Sequence, residues 1–302
     1  MFDGGIMSDI IIVGAGCAGL TAAIYAARAG KSVTILENEG VGGQISTSPR
    51  VENYPGFKSI SGMEFSDKLF EQACDLGAEL ELARAESIEK NAEGFTVKTE
   101  FGDYPARAVI LATGCRHRRL ELPEEERFVG KGLSYCAVCD GAFYKGKTVA
   151  VVGGGSAALQ SALMLAEICE KVYLIHRRDT YRAEEKLVEQ VGAAANLEPV
   201  LNATVSSLNG TDSLESVTVA VNGGRSEIKT DGLFVCIGQQ ADNAAFASLV
   251  ALDENGYIVA GEDCRTSCEG VFAAGDCRTK QVRQLTTAAA DGAVAALAAC
   301  RV

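Results

Sequence analysis

Two of the chain's 11 cysteines, Cys136 and Cys139, lie three residues apart and are followed at once by Asp140 and Gly141, in the segment CAVCDG. A thiol pair at this spacing can close and reopen a disulfide, or supply half of a tetrahedral zinc site. Zinc would need a second pair, and the only candidate is Cys264 with Cys268, spaced CxxxC. The two histidines, His117 and His176, are too few for a histidine-rich metal site and leave at most two bases for serine hydrolysis. Asp140 is suited to moving the protons of thiol chemistry if burial lifts its pKa; its other ordinary role in such a turn is to cap a helix. Cys17, Cys74, Cys115, Cys169, Cys236, Cys277 and Cys300 sit mostly among apolar neighbours and read as small core residues, Cys17 being set apart by its glycine turn.

A redox dithiol needs an electron source, and an internal repeat points to one. Ile10–Glu37 aligns without gaps on Val149–His176, a constant offset of 149 − 10 = 139 residues. Each copy gives an apolar strand, a glycine turn, a helical stretch and a second apolar strand, which is the βαβ dinucleotide-binding unit. Gly14 and Gly153 permit the tight turn, Gly16 and Gly155 let backbone N–H groups approach a pyrophosphate, and Gly19 or Ala158 lets helix lie close on strand. Glycine turns without a ligand are the alternative.

At the end of each second strand, where an adenosine ribose is met, the copies differ. Glu37 accepts hydrogen bonds from ribose hydroxyls and repels a further phosphate, whereas His176 begins the cluster HRRDTYR with Arg177, Arg178 and Arg182. Planar guanidinium donors suit a 2′-phosphate, a solvated basic patch being the alternative. Two charge-assisted hydrogen bonds at ~1.5–3 kcal/mol each would favour NADPH over NADH by roughly 10² to 10⁴. The pattern thus gives one site for FAD or NAD and one for NADPH, so that a nicotinamide hydride reaches a flavin and the electron pair then reaches the disulfide.

The elements around these turns fit two nested α/β domains. After the first copy come GGQ (Gly42–Gln44), ENYPG (Glu52–Gly56), an amphipathic helix over 63–78 with Phe65, Leu69, Ala73 and Leu76 on one face, and VILATG (Val109–Gly114). After the second come strands around 213–221, LFVCIG (Leu233–Gly238), VFAAGD (Val271–Asp276) and an alanine-rich helix from about 284 to 300. Flavin-type features at both ends make the second unit an insertion: 1–117 and 244–302 form the FAD-binding domain, and 118–243 the NADPH-binding domain carrying the CxxC pair.

A net charge of 28 − 40 = −12 excludes, as a default, a protein that binds nucleic acid or acidic membranes by neutralising phosphates. Glycine is 33 of 302 residues against five prolines, an excess that belongs in tight turns rather than linkers. No Lys or Arg precedes Arg28, so a secretory signal is not expected, and the uncharged run 10–27 is interrupted by Gly14, Gly16 and Gly19. A soluble cytoplasmic protein is expected, with Met7 a candidate start and Met1–Ile6 extra sequence.

Over nearly its whole length the chain resembles the low-molecular-weight bacterial thioredoxin reductases, through GAGCAG, GGQ, ENYPG, LATG, YCAVCDGAFY, GGGSAA, HRRDTYR, FAAGD and RQLTTAA in that order. The resemblance implies two Rossmann-like domains of the three-layer ββα type, the NADPH domain inserted into the FAD domain, a homodimer, and thioredoxin as partner. It implies FAD contacts at Gly14, Ala15, Gly16, Ala18, Glu37, Gly42, Gly43, Gln44, Asn53, Thr113, Gly114, Asp276, Arg283, Gln284 and Leu285. NADPH would meet Gly153, Gly155, Ser156, Ala158, His176, Arg177, Arg178 and Arg182, with Gly238 near the nicotinamide half. Cys139 is implied as the flavin-proximal sulfur, Cys136 as the one exchanging with thioredoxin, and Asp140 as the acid-base group.

A large rotation of the NADPH domain is implied too. The sequence gives its own reason, because the dithiol and the nicotinamide site share one inserted domain and must both reach one flavin face. The chain departs from the family pattern at Cys17, where proline is frequent, at Gln160 and Ser161, where acids often follow the second turn, and at Glu124 and Ala241, in place of glycine and proline. Alternatives are the same machinery reducing another protein disulfide or fed by ferredoxin, and, outside enzymes, a flavin- or zinc-binding module without turnover.

Overall fold

The computed structural model describes residues 7–48, 50–221 and 223–302; Met1–Ile6, the segment ahead of the candidate start, lies outside the described residues. The chain divides into two compact units, one formed by everything up to Arg116 together with Gln240–Val302, the other by His117–Gln239.

In the first unit the leading repeat copy becomes β1 (Ser8–Val13), α1 (Cys17–Arg28) and β2 (Val33–Glu37). There follow α2 (Gly62–Asp75), β3 (Glu79–Leu82), β4 (Ala85–Asn91), β5 (Gly94–Thr99) and β6 (Gly102–Leu111); short strands β7 (Arg116–His117) and β16 (Gln239–Gln240) mark the two crossings, and β17 (Val271–Ala273) and α7 (Leu285–Ala299) complete the unit. Parallel strands run β3-β2-β1-β6, with β17 parallel to the C-terminal half of β6 and the antiparallel pair β5, β4 on its N-terminal half.

A strand covered on both faces needs apolar residues at every position, because successive side chains point to opposite sides. Ile10, Ile12, Val33, Ile35, Ala108 and Ile110 accordingly pack with α1, α2 and α7. Ile11, Val13, Leu36, Val109 and Leu111 pack with Ile88, Phe95 and Val97 of the antiparallel layer. The α1–α7 approach is close because Gly292 lies against the Ala18 backbone where no Cβ would fit.

The predicted 63–78 helix is shorter at its C-terminal end. Ser61 caps α2 by accepting the Glu64 N–H at 3.1 Å, and the helix stops at Asp75 ahead of Gly77, whose φ is 92°. Phe65 and Ala73 are buried as expected, but Leu76 lies past the last turn and is exposed, and Cys74 points outward from α2 rather than into the core.

The second unit repeats the three-layer plan. Its elements are α3 (Glu125–Phe128), β8 (Leu133–Ser134), α4 (Ala137–Asp140), β9 (Thr148–Val152), α5 (Ser156–Ala166), β10 (Lys171–Ile175), α6 (Glu185–Ala193) and β11 (Leu197–Val200), then β12 (Ala203–Asn209), β13 (Ser216–Val221), β14 (Gly224–Lys229) and β15 (Gly232–Val235). The parallel sheet is ordered β11-β10-β9-β15-β8, and β12-β13-β14 form a separate antiparallel sheet. Val149, Val151, Val172, Leu174 and Phe234 pack with α5, while Ala150, Val152, Ile175, Leu233 and Val235 pack with Leu208, Val217 and Val219.

The second crossing falls at 239/240 rather than 243/244, and Asn243 shows why. Its fully buried amide accepts from Thr113 Oγ1 at 2.6 Å and donates to the carbonyls of Gly256 (2.9 Å) and Cys277 (3.1 Å), tying it to three loops of the first unit. No helix among the described residues is long and apolar enough to cross a membrane.

Candidate functional site

The first glycine turn joins β1 to α1. Gly14 has φ 108°, and a Cβ there would overlap the Ala112 carbonyl, so only glycine fits. Gly16 caps α1 without any side chain accepting from the first-turn amides, which leaves the positive end of this 12-residue helix open to an anion. Glu37, ending β2, turns back beneath the loop: Oε2 accepts the Ala15 N–H at 2.7 Å and Oε1 those of Glu39 (2.8 Å) and Gly40 (3.2 Å). Gly16 pairs with Gly42, and Gly43 follows at φ 60°.

Other predicted residues join this turn through direct contacts. Gln44 Nε2 donates to the Cys115 carbonyl beside the Thr113–Gly114 turn, Asn53 Nδ2 donates to Gln284 Oε1 at 3.1 Å, and the Leu285 carbonyl faces Cys17 Sγ at 3.5 Å. Gly275 lies against the Ala18 methyl, which brings Asp276 to the same place. Asp276 Oδ1 is buried with no partner among the described residues. Burial pushes the Asp276 carboxyl above its usual range, opposed by the nearby Lys280 and Arg283. Arg283 itself lies over the Tyr257 ring at 4.2 Å, with Nε 3.4 Å from the Asp276 carbonyl. Open amides, a carboxylate at the strand end and an orphaned acid oxygen fit a ligand that carries phosphates and hydroxyls, as FAD does. The neighbouring thiols are inert: burial pushes both Cys17 and Cys115 up to about 12.

The second turn, from β9 to α5, repeats the arrangement. At Gly153 (φ 153°) a Cβ would overlap the Cys236 carbonyl and the Ala158 methyl, and Gly155 leaves the α5 amides uncapped by any side chain, with Ser156 and Ala158 in the first turn. His176 is placed beneath this turn. Its buried ring underlies Gly154, where a Cβ would strike it, stacks on Tyr181 at 5.4 Å, and donates from Nε2 to the Thr180 carbonyl at 3.0 Å. Arg177, Arg178 and Arg182 are exposed, and no ion pair among the described residues uses them. The Arg182 N–H donates to the Gly154 carbonyl at 2.6 Å, fixing the cluster's exit to the glycine turn. Gly238, with φ 108°, ends the loop after β15. Uncapped amides with three unpaired guanidinium groups fit NADPH.

Cys136 and Cys139 form a disulfide with S–S 2.07 Å, in the same unit as the second turn. Cys136 precedes α4 and its sulfur accepts the Cys139 N–H at 3.2 Å. Asp140 caps no helix with its side chain; it faces back toward β8, where Ser134 Oγ donates to Oδ2 at 2.6 Å. Burial raises the Asp140 pKa, opposed by that hydrogen bond. Ser134 Oγ also receives the Cys136 N–H at 3.0 Å, so one hydroxyl holds the acid and the disulfide. Between the cysteines Val138 is exposed.

The preceding residue is clamped as well. Tyr135 donates to Glu125 Oε1 at 2.7 Å and stacks on His117 at 5.3 Å, while Glu125, buried, accepts the Leu120 and Glu121 N–H groups at 2.9 Å. Cys264 and Cys268 are free thiols in the other unit, Cys264 pushed up to about 12 by burial, and no group of three or more metal-ligating side chains occurs among the described residues.

Sequence reasoning missed Ser134, Glu125, Asn243 and a buried network in which Asp291 of α7 accepts from Arg278 (2.8 and 2.9 Å), Lys280 (2.8 Å) and the Gly275 N–H (3.0 Å). No motif marks these residues, because their partners come together only in the fold.

Two nucleotide-type turns and a disulfide in one chain define a pyridine-nucleotide-linked disulfide oxidoreductase. A family model described as pyridine nucleotide-disulphide oxidoreductase matches residues 8–292, and the chain belongs to this family. It is similar to the thioredoxin reductases of Bacillus subtilis (strain 168), 42% identical over 291 residues (95% of this chain, 92% of the relative), and of Listeria innocua, also 42% over 291 residues (95% and 91%). The solved thioredoxin reductase from Streptococcus pyogenes MGAS5005 superposes with a TM-score of 0.93 at 37% identity, covering 97% of each chain.

Proposed function

We propose that this chain is an NADPH-dependent thioredoxin-disulfide reductase. The observation that carries the reading is the Cys136–Cys139 disulfide, with Asp140 held beside it, in the same unit as a nucleotide turn that three unpaired arginines flank. FAD and NADPH are the cofactors used in this family. When bound, FAD accepts the hydride of NADPH and passes the electron pair to the disulfide.

In this reading the α1 amides beyond Gly14–Gly16 hold the FAD pyrophosphate, Glu37 the ribose, and Asp276 a hydroxyl. Arg177, Arg178 and Arg182 hold the 2′-phosphate of NADPH above a turn that His176 supports. Once reduced, the Cys136 thiolate attacks one sulfur of the thioredoxin disulfide, and Cys139 then attacks Cys136 Sγ, closing the internal disulfide and releasing thioredoxin as a dithiol. Asp140 moves the proton that this exchange requires.

The finer reading is a cytoplasmic homodimer whose inserted unit rotates. One unit carries both the disulfide and the nicotinamide turn, and both must serve a flavin bound by the other.

Anaerobic titration tests the function. The flavin-loaded protein is expected to be yellow, to bleach with NADPH and to recolour on adding oxidised thioredoxin. Bleaching by reduced ferredoxin alone would replace the donor, and a colourless zinc-bearing protein would discard the enzyme. Cys136→Ser or Cys139→Ser is expected to stop thioredoxin reduction and leave bleaching by NADPH intact.

A further inference from the structure

We infer that Ser134 is a positioning residue for the proton-transfer step, its hydroxyl coupling the Asp140 carboxyl to the backbone of Cys136. This rests on the reading of Asp140 as the acid-base group and adds the residue that sets its working state.

The geometry is specific. Ser134 ends β8 and is buried; its Oγ lies 2.6 Å from Asp140 Oδ2 and 3.0 Å from the Cys136 nitrogen. A hydroxyl has one proton to give and lone pairs to receive. The Cys136 N–H can only donate, so the oxygen accepts there, and the hydroxyl proton is directed at the carboxylate. The Cys136 carbonyl at 3.3 Å is the longer, weaker alternative. β8 is anchored by its parallel pairing with β15, Leu133 opposite Leu233 and Ser134 opposite Phe234, so the donor sits on a sheet rather than a loop.

Reduction of the disulfide consumes two electrons and two protons: NADPH + H⁺ + S–S gives NADP⁺ + 2 SH. One sulfur–sulfur bond breaks and two sulfur–hydrogen bonds form. The free proton passes through Asp140, which takes it back when a thiol ionises to attack thioredoxin. A carboxyl serves both directions only if its pKa lies within reach of the working pH. Burial drives Asp140 up and the Ser134 hydroxyl draws it back by stabilising the ionised form. Asp140 acts in turn on Tyr144, whose phenol burial first and Asp140 second push up to about 12, so Tyr144 stays neutral there. α5, which packs on α4, contributes no ionisable side chain.

The test is a ¹³C NMR titration of the Asp140 side-chain carboxyl in the full chain, assigned with Asp140→Asn, beside stopped-flow of the flavin-loaded enzyme mixed with one equivalent of NADPH. Recolouring of the bleached flavin reports electron transfer to the disulfide. Ser134→Ala is expected to raise the Asp140 midpoint by about one pH unit, the size of a lost hydrogen bond to a charged group, and to move the pH profile of recolouring by the same amount. Ser134→Thr, which keeps the hydroxyl, is expected to hold both near wild type. In Asp140→Asn, adding Ser134→Ala is expected to change the recolouring rate no further. An unmoved midpoint in Ser134→Ala, a midpoint displaced in Ser134→Thr, or an additive loss in the double variant would each overturn the inference. Wild-type recolouring in Asp140→Asn would instead overturn the reading of Asp140 itself.

Discussion

Arg177, Arg178 and Arg182 have no carboxylate within ion-pairing distance among the described residues, although Asp and Glu outnumber Lys and Arg in the chain, 40 to 28. Exposed guanidinium groups left unpaired beside uncapped helix amides present a set of donors suited to an anion such as a phosphate. Arg177→Ala combined with Arg178→Ala is therefore expected to raise KM for NADPH by roughly 10² to 10⁴ while changing KM for NADH only slightly; equal changes in steady-state assays would dismiss the phosphate assignment. Asp276 makes the opposite trade. Its unpartnered buried oxygen is a liability of about 1–3 kcal/mol in the cofactor-free chain. Asp276→Ala is expected to leave cofactor-free stability in urea equal or higher, yet to weaken FAD retention in fluorescence titration. Loss of stability with unchanged retention would show that the carboxyl serves the fold instead.

At the scale of elements, the turns are set by what glycine lacks and the helix ends by what is left uncapped. Gly154→Ala is expected to expel the His176 ring and weaken NADPH binding, while Gly30→Ala, in open space at φ 78°, strains only its own loop; comparing their KM values separates a binding turn from a structural one. α7 is fixed through Asp291, and Asp291→Ala would strip the guanidinium of Arg278, 1% exposed, of its buried carboxylate and leave it only the exposed Glu262 at 3.3 Å, at a cost of about 3 kcal/mol in urea unfolding. Burial would raise the Asp291 pKa, but hydrogen bonds from Arg278 and Lys280 outweigh it and hold the carboxyl low. The resulting stability is fully present above the unfolded carboxylate pKa of about 3.9 and lost as pH falls through the lower folded value. Acid titration of wild type against Asp291→Asn should therefore diverge above that range and converge below it.

The two turns were legible because a dinucleotide imposes glycines at fixed spacing, and the alanine run predicted as 284–300 is the helix Leu285–Ala299 because its small residues must let α1 approach. Asn243 reaches Thr113 across 130 residues, and Ser134 meets Asp140 only where a strand end faces the next turn, so neither leaves a local pattern. His176 is implied by the resemblance as an NADPH contact within HRRDTYR, and its seat beneath Gly154 has no local signal in the sequence because it forms across 22 residues of chain.

For the whole molecule, the decisive fact is which unit owns what. The inserted unit carries both the disulfide at 136–139 and the turn at 153–155, while the first turn, Glu37 and Asp276 belong to the other. On the proposed reading a single flavin serves both the nicotinamide and the disulfide in turn, and the two halves of the reaction then call for two arrangements. The chain passes between units only at Arg116/His117 and Gln239/Gln240, and within the inserted unit these passages are adjacent, the Arg118 N–H donating to the Gly238 carbonyl at 3.0 Å. On the proposed reading these two neighbouring connections serve as the hinge. A covalent cross-link holding the units in one arrangement is expected to preserve either bleaching by NADPH or electron transfer to Cys136–Cys139, and to reduce thioredoxin turnover to background. Cleaving the cross-link should restore both, whereas full turnover with the link intact would show that a single arrangement suffices.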